Sequence, residues 1–235
     1  AVGENLGTPE QKVYTGTVGQ LAASRFESLS VLLVEAAQVP SRRTQGLPDE
    51  AFARGKVPMT KQEVRAAVLA KLGVQPGELL WDVGAGTGSV SVELALAAPR
   101  GRVYAVECDP EACALIRQNK EKFAVRNLTL VEGTAPAALE NLPAPDAVFI
   151  GGTKGNLAAV VEAALARNPA ARICISAIAL ETLSAAVAAL TAHGLQAEVC
   201  QISVSRAKAA GKLHLLMANN PIFLITRADE AEKRV

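Results

Sequence analysis

Residues 79–95 read LLWDVGAGTGSVSVELA, and the order of residue types in this stretch decides the fold class. A short apolar run ending in Asp82 suits a strand buried in a parallel sheet. Gly84-Ala85-Gly86-Thr87-Gly88 then turns the chain sharply and lets its backbone lie against a ligand where a Cβ would obstruct it. SVSVELA carries no proline or glycine and continues as a helix. Spacing separates two ligand classes. A dinucleotide fold uses G-x-G-x-x-G, which shapes a turn around a pyrophosphate at a helix N-terminus. Here the third glycine arrives one residue early, and Ser89 stands where that pattern wants glycine. The D-x-G-x-G-x-G form suits a ligand without phosphate that presents amino-acid and ribose parts to the loop.

Working outward, strands and helices alternate. Strands are predicted at 102–107, 128–132, 146–150 and 172–177. Helices are predicted at about 88–98, from Pro110, briefly near Pro136, and at about 156–167 and 181–193. Beyond Gly194 the pattern changes: 197–204 and 213–226 both read as strands. The link between them, SRAKAAGK at 205–212, is too short for a right-handed crossover, so the two should pair antiparallel. This order predicts an α/β, Rossmann-like fold of the class I S-adenosylmethionine-dependent methyltransferase type. Its seven-stranded sheet would run 3-2-1-4-5-7-6 with an antiparallel last strand. Upstream, Thr60 and Glu63 form a capping box for a helix whose apolar positions are Val64, Ala67, Val68 and Leu72 and which Gly73 stops. Residues 38–58, rich in Pro, Gly and charge, read as a linker or docking arm ahead of a methyltransferase domain at 59–228 and a charged tail at 229–235. Residues 1–37 contain a strand-like run, SVLLVEA. The chain starts at Ala1 rather than Met, as expected of a piece of a longer or processed protein.

Composition narrows the partners. Half of the 235 residues are hydrophobic, the net charge is +1 and aromatics make up 3%. A nucleic-acid binder would carry a larger basic surplus and more rings for base stacking. No apolar run approaches the ~20 residues that span a bilayer, and no basic-then-apolar leader opens the chain, so the expected compartment is the cytoplasm. Cys108, Cys113, Cys174 and Cys200 form no CxxC pair, and only His193 and His214 could join them. They read as buried free thiols, and no metal site is expected.

Several strand ends carry candidate site residues. Glu107 closes the second strand of the alternating series, where a carboxylate can accept hydrogen bonds from both ribose hydroxyls. Asp109 is expected to cap the next helix. Glu132-Gly133-Thr134-Ala135-Pro136 closes the third strand, either flanking an adenine ring through Thr134 and Ala135 or serving as a simple turn. Phe149-Ile150-Gly151-Gly152-Thr153 closes the fourth and faces the point of methyl transfer. Enzymes that methylate exocyclic amino groups of bases place an acid or amide there, followed by Pro-Pro-aromatic. This chain has two glycines instead. Asn219-Asn220-Pro221-Ile222-Phe223 looks faintly like that motif but lies in the last strand region. No catalytic base is therefore assigned.

Together these segments resemble the C15-methyltransferase, C12-decarboxylating domain of corrin (vitamin B12) biosynthesis. In some organisms that domain stands alone, and in others it is the C-terminal half of a bifunctional precorrin C5,15-methyltransferase. The resemblance rests on GLPDEAF (46–52), PMTKQEVRA (58–66), WDVGAGTGSVSVELA (81–95), EGTAPAAL (132–139), FIGGTKGNL (149–157), SAIALETL (176–183) and SVSRAKAAGKLHLLMANNPIFLIT (203–226). Ser176 departs from it, where many relatives would carry Asn. Residues 4–35 resemble the tail of the C5-methyltransferase domain that precedes in the fused enzyme, so 1–37 is expected to be its remnant.

The resemblance implies S-adenosyl-L-methionine as cofactor, held by Thr60, Gly84, Ala85, Gly86, Thr87, Gly88, Glu107, Thr134 and Ala135. It implies a precorrin-type tetrapyrrole as substrate, with or without cobalt, and a homotetramer. The ring's many carboxylates call for basic partners. Arg206, Lys208 and Lys212 are the first candidates, and Arg54, Lys56 and Lys154 the second. The lysines read alternatively, and more readily, as a solvated charged loop. Gly151, Gly152, His214 and Asn220 are further substrate candidates, the last two alternatively structural polar groups. Two other readings remain: a methyltransferase of RNA or protein, and a non-enzymatic cofactor-binding module.

Overall fold

A computed structural model describes residues 1–35 and 45–228. Parts of the predicted linker and the charged tail at 229–235 lie outside them. The chain divides into two compact units, residues 1–42 and 43–235.

In the first unit, β1 (Val2–Glu4) pairs antiparallel with both β2 (Lys12–Tyr14) and β3 (Ser30–Leu32). Among the described residues of the run SVLLVEA, Ser30–Leu32 form strand. Between β2 and β3 lies α1 (Val18–Ala22), where Thr17 and Gln20 form a reciprocal capping box. The buried Glu4 carboxylate accepts from the Glu27 N–H at 2.7 Å and from the Tyr14 hydroxyl at 3.2 Å.

The second unit opens with α2 (Gln62–Leu72), β4 (Leu79–Val83) and α3 (Ser89–Ala97). It continues through β5 (Arg102–Glu107), α4 (Pro110–Lys122), β6 (Leu128–Glu132) and β7 (Ala147–Ile150). Then come α5 (Leu157–Arg167), β8 (Arg172–Ala177), α6 (Leu180–Ala192) and β9 (Ala197–Ile202). The last elements are β10 (Ser205–Ala210), β11 (Leu213–Ala218) and β12 (Ile222–Arg227). The seven-stranded sheet runs β6-β5-β4-β7-β8-β12-β9, the predicted 3-2-1-4-5-7-6 order. β12 runs antiparallel to both neighbours.

Alternation along the strands feeds two cores. Leu80, Phe149, Cys174 and Leu224 pack with α2 and α3 on one face. Trp81, Val83, Val148, Ile150 and Ile225 pack with α5 and α6 on the other. The central register pairs Val83 with Val106 and with Ile150, so three strand ends finish together where the strand order reverses. Ligands bind at that switch point in open α/β sheets.

Three local expectations are corrected. The run 213–226 is two strands rather than one. Residues 205–212 are not a mere link, because β10 and β11 form a separate antiparallel hairpin outside the main sheet. Thr60 does not cap α2. The N-cap is Lys61, without a side-chain bond, and the Gln62 N–H donates to Asp49 Oδ1 at 2.9 Å. Near Pro136 the chain makes a single 3-10 turn, Ala137–Leu139. Asp109 does cap α4, accepting from the Ala112 N–H at 2.9 Å. Cys113 and Cys174 are buried, whereas Cys108 and Cys200 are only partly so.

Candidate active site

The site grows from the end of β4. After Val83 the N–H groups of Gly84 and Ala85 both donate to the Val106 carbonyl, at 2.9 and 3.2 Å. Gly84 adopts φ 71°, and a Cβ on it would stand 2.2 Å from the Gly152 carbonyl oxygen. Glycine is thus required here by the protein's own backbone, beyond any approach of a ligand. Gly151 meets the same constraint from the other side, since its Cβ would lie 3.0 Å from the Gly84 carbonyl oxygen. The paired glycines after β7 and the first glycine after β4 are one contact.

Glu107 locks the loop to β5. Its Oε2 accepts from the Gly86 N–H at 2.8 Å, and its Oε1 accepts from the N–H groups of Cys108 and Asp109 at 2.8 and 2.9 Å. A carboxylate oxygen can accept about two bonds, so Oε2 retains capacity for a ligand hydroxyl. Beneath the loop, Asp82 is fully buried, bonded by the Ser91 hydroxyl through Oδ2, while Oδ1 has no partner among the described residues. Burial pushes its carboxyl up to about 7, the nearby Glu107 charge adds to the rise, and the Ser91 bond opposes it. The Thr87 hydroxyl is also buried without a partner among the described residues, and Thr87 lines the cavity.

A strap, residues 46–61, crosses the loop. Buried helix side chains hold it along its length. Glu93 accepts from the N–H groups of Gly46 and Leu47 at 2.7 and 3.1 Å. Asn119 accepts from the Ala53 N–H at 2.7 Å and donates to the carbonyls of Ala53 and Thr87 at 3.1 and 2.9 Å. Arg65, with no exposed surface, pairs with Glu93 at 2.7 Å and with Asp49 at 2.8 Å. It also donates to the carbonyls of Thr60 and Leu47, both at 2.5 Å, and stacks on the Phe52 ring at 4.6 Å. Burial alone would raise the Asp49 carboxyl, but Arg65 and Arg206 hold it below its usual range. The strap comes close enough that a Cβ on Gly86 would lie 3.3 Å from the Pro58 carbonyl oxygen.

Between strap, strand ends and hairpin root lies a cavity of about 850 Å³. Thr60, Gly84, Ala85, Gly86, Thr87, Glu107, Thr134 and Ala135 all line it. Gly88 does not, and a Cβ there would meet Ile116 of α4 at 2.9 Å. Gly151, Gly152, Lys154 and Asn220 also line it. Arg206, Lys208, Lys212, His214, Arg54 and Lys56 stand outside the lining. Arg206 is otherwise engaged: it donates to both Glu63 carboxylate oxygens at 3.1 and 2.7 Å and to Asp49 Oδ2 at 3.0 Å. The amides absent after β7 reach the cavity from the hairpin root, as Asn219 and Asn220.

Sequence reading missed the strap's anchors and Lys61. A signal existed: Glu93 is the one charge in SVSVELALA, and a charge on a helix otherwise fit for burial calls for a buried partner. The donor set suits a nucleoside ligand with an amino-acid tail. The partnerless Thr87 hydroxyl, the spare capacity of Glu107 and the small residues of the loop leave both room and polar partners.

Residues 50–227 match the family model of the precorrin methyltransferase domain. A protein of Pyrobaculum calidifontis that carries the name probable cobalt-precorrin-6B C(15)-methyltransferase (decarboxylating) is 47% identical over 186 residues, 78% of this chain and 95% of that protein. The precorrin-6y C5,15-methyltransferase structure from Geobacter metallireducens superposes with a TM-score of 0.75 at 41% identity, covering 78% of this chain and 98% of that one. The C-terminal domain of precorrin-6Y C5,15-methyltransferase from Rhodobacter capsulatus gives 0.70 at 33% identity, covering 79% and 98%. With family match, relatives and fold in agreement, the chain belongs to the precorrin methyltransferase family.

Proposed function

We propose that the protein methylates C15 of a precorrin, with S-adenosylmethionine as methyl donor, and removes the C12 acetate carboxyl as carbon dioxide. The observation that carries this reading is the 47% identity, along 95% of its length, to a relative named for that reaction. When bound, the cofactor supplies an electrophilic methyl group on a sulfonium. Glu107 Oε2 takes a ribose hydroxyl, Thr134 and Ala135 flank the adenine, and Thr60 with the 84–87 loop receives the methionine part. Gly151, Gly152 and Asn220 face the ring at the transfer point.

Apart from Glu107, no carboxylate lines the cavity among the described residues. That suits a carbon nucleophile. C15 belongs to an electron-rich enamine-like system; it would take the methyl group as the S–CH3 bond breaks and S-adenosylhomocysteine leaves, without a strong base. The conjugated macrocycle takes up the electrons released with carbon dioxide. The protein's work is to position the reactants and exclude water.

Two further parts of the reading concern the whole molecule. The hairpin carries Leu213, Leu215, Leu216 and Met217 more than half exposed, which supports assembly into a homotetramer through that surface. Residues 1–37 are the remnant of a C5-methyltransferase domain in a fused chain working in the cytoplasm. Among the described residues no helix is long and apolar enough to cross a membrane. Incubation with S-adenosylmethionine and precorrin-6B, followed by mass spectrometry, tests the activity. The expected product has gained one methyl group and lost one carbon dioxide. An unchanged substrate beside intact, cofactor-bound protein would overturn the reading.

A further inference from the structure

One end of the cavity is an aliphatic wall, formed by Ile175, Ile178, Ile202 and Ile222 and broken by Asn219 and Asn220. The plane of a tetrapyrrole packs well on such a surface. Its peripheral carboxylates do not, because each one taken from water needs a compensating donor or cation. Among the described lining residues only Lys61 and Lys154 are cationic.

The two lysines stand at different ends. Lys154 stands close to the side chain of Cys108, the residue after Glu107, which places it at the β5 end, beside the proposed ribose site. Lys61 is the N-cap of α2, two residues before Glu63. Glu63 is bonded by Arg206 at 2.7 Å, and Arg206 sits two residues after Val204, itself a lining residue of the hairpin root. Lys61 therefore stands where the strap meets the hairpin root, at the aliphatic end.

Its charge is also available. The carboxylates near it are committed elsewhere, Asp49 to Arg65 and Arg206, and Glu63 to Arg206. Among the described residues the Lys61 ammonium has no hydrogen-bond or ion-pair partner. Arg206 thus contributes indirectly, by neutralising the acids that would otherwise draw Lys61 away from the cavity. We propose that Lys61 receives a peripheral carboxylate of the tetrapyrrole and so sets which edge of the ring lies toward the aliphatic wall. This rests on the precorrin reading given above.

The test compares wild type, Lys61→Gln and Lys61→Arg in steady-state turnover of precorrin-6B, with calorimetric titration of S-adenosylhomocysteine alongside. Loss of a charge-assisted bond is expected to raise KM for precorrin-6B about tenfold in Lys61→Gln, with kcat little changed. Lys61→Arg should recover most of the loss, and S-adenosylhomocysteine affinity should stay within about twofold in both variants. An unchanged KM in Lys61→Gln overturns the proposal. So does an unchanged KM with weakened S-adenosylhomocysteine binding, which would assign the ammonium to the cofactor's own carboxylate. Both outcomes leave the methyltransferase reading intact. A wild type that binds S-adenosylhomocysteine yet leaves precorrin-6B unconverted overturns that reading and this inference together.

Discussion

Gly84 and Gly152 approach so closely that a Cβ on the first would lie 2.2 Å from the carbonyl oxygen of the second. The contact is not reciprocal, since a Cβ on Gly152 would meet nothing within 4 Å. Gly84→Ala combines this clash with a left-handed backbone and is expected to cost at least about 2 kcal/mol. Gly152→Ala should leave stability nearly unchanged and act on turnover alone. Chemical denaturation of both variants checks this, and equal stabilities would refute it.

Asn119 ties the strap to the glycine loop from a fully buried position. Asn119→Ala leaves an N–H and two carbonyls without their partner, with an expected loss of about 2 kcal/mol or more. S-adenosylhomocysteine affinity should fall as well, because Thr87 and Ala53 are no longer held to one side chain. Calorimetric titration under conditions where the variant stays folded separates the two effects.

Glu107 faces three backbone N–H groups, from Gly86, Cys108 and Asp109. Glu107→Gln replaces one acceptor oxygen with a donor and sets it against an N–H, besides removing the charge. Affinity for S-adenosylhomocysteine is expected to fall about tenfold or more. An affinity equal to wild type would remove Glu107 from the cofactor site.

Asp82 gives the domain a pH dependence. Burial pushes its carboxyl up to about 7, so the folded protein keeps a proton that the unfolded chain loses near pH 4. The stability tied to that proton is full below about pH 4 and is lost as pH rises through about 7, at most about 4 kcal/mol. Thermal melts of cofactor-free protein from about pH 5 to 8 should show this decline, and Asp82→Asn should flatten it. Parallel curves for the two proteins would exclude Asp82 as the cause.

The sheet order and the glycine loop are legible in the sequence because their signals are local: apolar runs, glycine spacing and a missing helix after Gly194. The β10–β11 hairpin is harder to see, since LHLLMANNPIFLIT is apolar at both ends. Its break was nonetheless written there, because Asn219-Asn220-Pro221 favours a turn and Pro221 cannot donate to a ladder. Thr60 failed as a cap for a reason no local pattern contains. Asp49, 13 residues upstream of Gln62, satisfies the helix's first N–H instead. Arg206 likewise read as free for substrate because its partners, Glu63 and Asp49, come from more than 140 residues away. Gly151-Gly152 stands out in the sequence, but the reason for glycine at 151, its contact with Gly84, exists only once the sheet brings two strand ends together.

The cavity's walls run from Val57 to Ile222 along the chain and draw on both faces of the sheet. Neither half of the domain, separated from the other, closes the cavity. A bound ligand therefore reports on the whole assembly of the domain at once. Cofactor affinity measured during refolding should appear late and in a single step, as a gauge of completed topology rather than of any one element.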